Sequence, residues 1–327
     1  MITVVIPLYN KAHMIMRTLA SVLTQTYTEF EVIIVNDGST DGSLDVISNF
    51  TSDARIKIIN QENQGVSAAR NKGVACAKYD YIAFLDGDDE WLPGYLDKIK
   101  EAIELFPNAS MYGFPSWHRD IRTGQTDNAT LNRYKDKIQI VEYFENPQTM
   151  PNSSAIVVSK KFFNMIDNGY GFPVGNVCCE DWSCFNRIAF LGPFVYIGIP
   201  LAIRNNGVSG QATGIKKEDR FKLMPSIVDF YNVTHDFSLK YPDKNQLFKI
   251  FFRYDLRNRI LNALRNNDYT TLQFLLNGLS IDCLNELLTF EITMYKSKRL
   301  NIIAKIYIYI TKLIWRLHGF PIVGKAH

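Results

Sequence analysis

The chain has 327 residues, 46% of them apolar, and a formal net charge of +3, which is enough for one large domain with an appendage or for two domains. So apolar a composition excludes a chain disordered throughout. So small a positive balance, without a long basic block in the first two thirds, excludes nucleic acid as the evident partner.

The opening Met1-Ile2-Thr3-Val4-Val5-Ile6-Pro7 has neither a basic leader nor a long apolar run. The expectation is no signal peptide or span there, and a reduced cytoplasmic setting. Short β-branched runs at Thr3–Ile6, Glu31–Val35, Ile56–Ile59 and Tyr81–Leu85 read as strands. Between them Ile15, Leu19, Val22 and Leu23 recur at helical spacing, as do Leu44 and Ile47, then Val66, Ala69 and Val74. This alternation predicts an α/β fold, an open, mostly parallel twisted sheet with helices on both faces. In such sheets ligands bind outside the carboxyl ends of the strands. The residues there are Pro7-Leu8-Tyr9-Asn10, Asn36-Asp37-Gly38-Ser39, Asn60 to Gly65, and Asp86-Gly87-Asp88-Asp89.

Met111–Pro151 is poorly periodic and reads as a loop-rich insertion near that rim, carrying Trp117 and His118. Then follow an expected strand at Ala155–Val158, a short helix at Lys160–Ile166, a helix at Trp182–Phe190 and a strand at Phe194–Ile199. From about Glu218 the pattern becomes helical. The expected division is a domain over about 1–215, with a first part to about 115 and a second from 116, then a helical region over 216–327. Near its end, over about 296–317, Lys298, Arg299, Lys305, Lys312 and Arg316 punctuate a dense apolar set with Tyr307, Tyr309 and Trp315. That mixture fits an amphipathic helix on an anionic membrane, or a core helix whose lysines extend into solvent. Its charges recur too often for a span. The extra helical region also offers a surface for a second copy of the chain.

The five cysteines are odd in number, and Cys178, Cys179 and Cys184 crowd one segment without the usual pairwise spacing of a zinc site. Buried thiols are the expectation.

Four carboxylates within Asp86–Glu90 end an apolar strand. Like charges so close are held in a fold mainly by a hard cation or by hydrogen bonds, so Mg²⁺ or Mn²⁺ bridging phosphates is the natural expectation. Asp86 and Asp88 alternate along an extended tail, so one is free to meet a ribose hydroxyl and the other a metal. Asp37 at a strand exit suits a base or ribose donor, while the same segment also reads as a turn followed by a helix cap at Asp41 or Ser43. Arg70 suits a phosphate or a rim aspartate. Glu180 and Asp181 open a helix, where they complement its dipole or supply a general base.

Val4 to Asn10, Val32 to Asp41, Asn63 to Asn71 and Phe84 to Asp89 together resemble, in that order, the inverting nucleotide-sugar glycosyltransferases of family two, which have the GT-A fold. The resemblance extends over about Met1 to Ser209 and includes Glu180-Asp181-Trp182. It implies a donor site bordered by Pro7, Tyr9, Asn10, Asp37, Gly65 and Arg70, with Asp37 facing the base, Asp86 on the ribose and Asp88 on Mn²⁺ or Mg²⁺. It also implies Asp181 as catalytic base with Glu180 beside it, and Arg204 as a diphosphate partner. The acceptor would be a lipid-linked or polysaccharide hydroxyl in surface glycan synthesis at the inner face of a membrane. A phosphatase with an aspartyl nucleophile is disfavoured because Glu90 stands where Thr or Val belongs, and the glycine fingerprint of a dehydrogenase is missing. A transferase-like fold that only binds a partner would lack Asp88 or Asp181; both are present.

Overall fold

The computed structural model describes residues 1–128, 130–145, 149–169, 171–208, 222–287, 289–297 and 300–318, with the backbone alone at 168, 289, 290 and 311–318. The chain divides into two compact units, Met1–Tyr143 with Gln148–Gly214, and Phe144–Pro147 with Ile215–His327.

The first unit begins with β1 (Ile2–Leu8), α1 (Ile15–Leu23), β2 (Phe30–Asp37), α2 (Ser43–Ser48), β3 (Ile56–Gln61), α3 (Val66–Cys76) and β4 (Tyr81–Phe84). Every residue of β1 is buried, as a strand covered on both faces must be. Helix α1 buries Ile15, Leu19 and Val22 and exposes Met16, as its period dictates. Helix α3 packs so closely on β1 that a Cβ at Gly73 would stand 2.3 Å from Cγ1 of Val5. Only glycine allows that approach.

The unit continues through β5 (Glu90–Trp91), α4 (Tyr95–Leu105), β6 (Met111–Gly113), β7 (Ser116–Asp120), β8 (Thr126–Asn128), β9 (Ile138–Val141), β10 (Ile156–Ser159), α5 (Lys160–Phe163), α6 (Glu180–Leu191), β11 (Phe194–Ile197) and β12 (Ala202–Asn206). An eight-stranded sheet runs β3-β2-β1-β4-β10-β6-β11-β9. It is parallel from β3 to β4 and mixed beyond, where β10 lies antiparallel to both β4 and β6. A four-stranded sheet runs β5-β12-β7-β8. The expected loop-rich stretch Met111–Pro151 therefore holds β6 to β9, a correction with a plain cause. Strands this short leave little room for a period, and in β7 Trp117, His118, Arg119 and Asp120 are all half-buried, so neither face is marked by apolar residues.

The connection from β4 to β5 carries Leu85 to Asp89 and so joins the two sheets. The acidic run is the junction between the sheets as well as a rim.

In the second unit the described residues form α7 (Met224–Ser238), α8 (Pro242–Arg265), α9 (Tyr269–Gly278), α10 (Ile281–Asn285), α11 (Thr289–Lys296) and α12 (Asn301–His318). Asp268 and Ser280 cap α9 and α10 by accepting from the N–H groups of Thr271 at 3.0 Å and Cys283 at 3.2 Å. Phe248, Phe252, Leu256 and Ile260 of α8 are buried, as are Leu272 and Leu276 of α9. Arg257 meets Glu291 through two bonds of 2.7 and 2.8 Å, and the Tyr295 hydroxyl donates to Glu291 at 2.9 Å. No helix among the described residues is long and apolar enough to cross a membrane.

Candidate active site

A cavity of about 580 Å³ opens at the carboxyl ends of β1, β2 and β4, and its wall is assembled wholly within the first unit. Asp37, the last residue of β2, is 2% exposed. Its Oδ1 accepts from the Gln61 side chain at 2.8 Å and the Gln64 N–H at 2.9 Å, and its Oδ2 from the Gly65 N–H at 2.9 Å. One carboxylate thus holds the loop that starts α3. Gly65 turns that loop at φ 87°, ψ 164°, a conformation open to glycine alone.

The loop after β1 is strapped to the loop after β2. Three successive N–H groups donate outward: Asn10 to Ser39 Oγ at 3.1 Å, Lys11 to Ser43 Oγ at 3.0 Å and Ala12 to Asp41 Oδ2 at 2.9 Å. Asn10 Oδ1 accepts in return from the Thr40 N–H at 2.8 Å. Burial pushes the Asp41 carboxyl up, but hydrogen bonds from Ser43 and Ala12 outweigh it and hold the group below the usual carboxylate range.

Arg70 on α3 joins the two ends of the motif set. Its Nη2 lies 2.7 Å from Asp86 and its Nη1 2.9 Å from Glu180, and its guanidinium stands 5.2 Å from the Phe172 ring centre. Burial acts to lower its pKa, but Asp86, Glu180 and Asp181 raise it by more, so the charge is secure. Burial and the Asp181 charge push Glu180 upward, and Arg70 offsets them only in part. Asp181 accepts from Ser153 Oγ at 3.2 Å and from the Trp182 N–H at 2.8 Å. Both acids sit in the first turn of α6, behind Cys179 at φ 59°, a left-handed position unusual for a side-chain-bearing residue.

The acidic run is held from the far half of the unit. Asp89, 4% exposed, accepts from Ser154 Oγ at 2.6 Å and the Asn205 N–H at 2.9 Å. Burial, then Asp86 and Asp88, push its carboxyl well above the ordinary value. Ser154 Oγ also accepts from the Asp86 N–H at 3.1 Å, and Asn205 Nδ2 donates to the Asp88 carbonyl at 2.7 Å. Asp88 Oδ2 lies 2.9 Å from Lys11 Nζ.

Of the expected site residues, Pro7, Tyr9, Asp37, Gly65, Arg70, Asp86, Asp88, Glu180, Asp181 and Arg204 line this one cavity. Asn10 is not on the wall and acts as a strap. Arg204 on β12 pairs in register with His118 on β7, and both line an adjoining cavity of about 170 Å³ with Trp182 and Tyr196. Sequence reasoning missed Lys11, Ser153, Ser154 and Asn205. Lys11 directly follows the Tyr9-Asn10 motif, which was a usable signal; the others lie in segments without one.

Among the described residues no three His, Cys, Asp or Glu side chains form a ready metal cluster. Magnesium-type ions often take only one or two carboxylates and complete their shell with water and substrate phosphates. Asp88 fits that use: it lies on the cavity wall and already holds a cationic group at 2.9 Å. The cysteines Cys178 and Cys179 are half-buried and Cys184 is buried, all as free thiols.

Residues 3–165 match the family described as Glycosyl transferase family 2. An uncharacterized glycosyltransferase of Nostoc sp. is 34% identical over 190 residues, which cover 56% of this chain and 56% of that protein. The uncharacterized glycosyltransferase EpsJ of Bacillus subtilis is 32% identical over 148 residues, covering 45% of this chain and 43% of that protein. The chain thus spans about half the length of these relatives. In fold it is similar to S. aureus TarS, in a crystal structure with UDP-GlcNAc, at a TM-score of 0.66 and 16% identity over 97% of this chain and 92% of that one. On residues 3–165, and in the GT-A-like fold around them, the chain carries a glycosyl transferase family 2 domain.

Proposed function

We propose that the cavity binds a nucleoside diphosphate sugar, with UDP as the first candidate carrier, and that the protein transfers the sugar to an acceptor hydroxyl with inversion. One observation carries this reading. Asp86 and Asp88, at the carboxyl end of β4, and the acids Glu180 and Asp181, distant in sequence, face one space, and Arg70 ties Asp86 to Glu180.

In this reading Pro7, Tyr9 and Gly65 border the nucleotide, Asp37 fixes the loop against which the base lies, and Asp86 accepts from the ribose. Asp88 would hold Mn²⁺ or Mg²⁺ together with the diphosphate, where the ion supplies charge stabilisation to the leaving group. Asp181 accepts the proton of the acceptor hydroxyl as its oxygen bonds to sugar C1. The bond from C1 to the diphosphate oxygen breaks on the opposite face, so the configuration inverts in one displacement. Ser153 and the Trp182 N–H orient Asp181 for that proton. Arg204 is assigned to the diphosphate. Nucleoside diphosphate release from UDP-, GDP- and dTDP-sugars with Mn²⁺ or EDTA tests the reading, comparing wild type with Asp88→Ala and Asp181→Asn. Turnover of a donor lost in both variants is expected; turnover intact in Asp181→Asn would sink the assignment of the base.

The acceptor is proposed to be a lipid-linked or polysaccharide hydroxyl presented at the inner face of a membrane, in the making of a surface glycan. Among the described side chains of α12, Asn301, Ala304 and Ile308 are buried, yet Ile302, Ile303, Ile306, Tyr309 and Ile310 are exposed. A helix apolar on its outer face as well as its packed one suits an interfacial position. Lys305 is half-buried there; Lys298 and Arg299 lie outside the described residues, as do the side chains of Lys312, Trp315 and Arg316. Flotation with anionic vesicles should be lost on replacing Ile302, Ile306 and Tyr309 by Ser. Flotation unchanged by the triple replacement would remove the membrane from the reading.

A further inference from the structure

Lys11 has no role in the proposed transfer as described so far, yet its ammonium lies 2.9 Å from Asp88, with the lysine side chain 13% exposed and the aspartate side chain 9%. Both ends of this pair are fixed by other bonds. The Lys11 N–H is held by Ser43, between the straps from Asn10 to Ser39 and from Ala12 to Asp41. The Asp88 carbonyl is held by Asn205, whose own N–H is bound to Asp89. A lysine on a strapped loop in direct contact with a pinned carboxylate on the wall of a cavity is a built contact. Two flexible surface groups would show no such restraint.

The charges around it set its consequence. Asp86 has Arg70 as its counter-ion, and Asp88 has Lys11. A divalent cation seeking Asp88 must displace or crowd an ammonium already there, so binding of the bare ion is opposed. A diphosphate changes that balance, because it brings negative charge for both cations. A phosphate oxygen sharing an ion with Asp88 lies next to that carboxylate, within reach of a flexible lysine stem.

Resting on the proposed donor site, we infer that Lys11 is a diphosphate-binding residue that shields Asp88 in the free protein and passes to the phosphate oxygens when donor and divalent ion enter together. The ion and the nucleotide then bind with positive coupling, and that coupling depends on Lys11.

The test compares wild type, Lys11→Met and Lys11→Arg in two measurements. Mn²⁺ binding without nucleotide is read from the free-ion signal in electron paramagnetic resonance, and UDP binding at saturating Mn²⁺ is read by calorimetry. Lys11→Met should tighten Mn²⁺ alone by about tenfold and weaken UDP by about tenfold, the scale of one charge-assisted hydrogen bond. Lys11→Arg should retain UDP binding, since it keeps the charge. Wild-type UDP binding that Lys11→Met leaves unchanged would overturn the assignment of Lys11 alone. If the wild type binds none of UDP, GDP and dTDP with Mn²⁺, the donor-site reading falls, and the diphosphate role of Lys11 with it. An unchanged Mn²⁺ affinity in Lys11→Met would separately overturn the shielding role.

Discussion

Each unit of the molecule contains a buried arginine held by carboxylates, and the two are arranged differently. In the helical unit Arg257 places two nitrogens on one carboxylate, that of Glu291, which is 0% exposed and also accepts from Tyr295. In the first unit Arg70 divides itself between Asp86, whose side chain is 33% exposed, and Glu180, at 12%. The first arrangement is closed, a paired charge inside a core. The second faces a cavity and spreads one charge over two acids that belong to separate motifs. Pairing of the first kind serves packing and register; pairing of the second orients carboxylates where a ligand can meet them.

Removing each arginine should expose that difference. Arg257→Met strands Glu291 in a dry core and should lower stability by about 3–5 kcal/mol, measured by urea unfolding. Arg70→Met should cost less, about 1–3 kcal/mol, because Asp86 can rehydrate and Glu180 can take a proton. It should nevertheless weaken UDP binding more than Arg257→Met does. Equal stability losses would break the contrast.

The acids sharpen the comparison by their titration. Burial and its neighbours raise Asp89 well above the ordinary carboxylate value. A raised carboxyl binds its proton more tightly in the folded protein, so the stability it contributes is full below about pH 4 and is lost as pH climbs through the raised value. Wild type should therefore lose stability with rising pH relative to Asp89→Asn, read as the difference in Tm across a pH series. A constant difference would contradict the buried charge. Glu180, raised in the same direction by burial and Asp181, should show a smaller effect of the same sign in Glu180→Gln, since Arg70 opposes the shift. Smallest of all, Cys179→Gly should raise stability by about 1 kcal/mol or less by relieving the left-handed φ of 59° at the start of α6.

The parallel half of the first unit was legible because β1, β2 and β4 are nearly continuous apolar runs buried on both faces, and each ends in a polar motif. The site residues on those exits could be named for the same reason. The small sheet was not legible: β5 has two residues and β7 is a polar run, Ser116 to Asp120, that takes its strand form from pairing with β12. Ser154 and Asn205 were out of reach because their value lies in bonds to Asp89, which is 65 and 116 residues away. Periodicity carries no such long-range information. Asp37 lies on the cavity wall as expected, and its further part in holding the loop was not legible, because its bonds run to Gln61, Gln64 and Gly65, 24 to 28 residues on.

The most direct test of the cavity as a donor site is calorimetric titration of UDP, GDP and dTDP with Mn²⁺ into wild type and Asp88→Ala. The account predicts saturable binding of one nucleotide by wild type and at least about a tenfold loss in Asp88→Ala, the scale of a charge-assisted interaction. Absence of binding by all three nucleotides, or equal affinity in the two proteins, would contradict it.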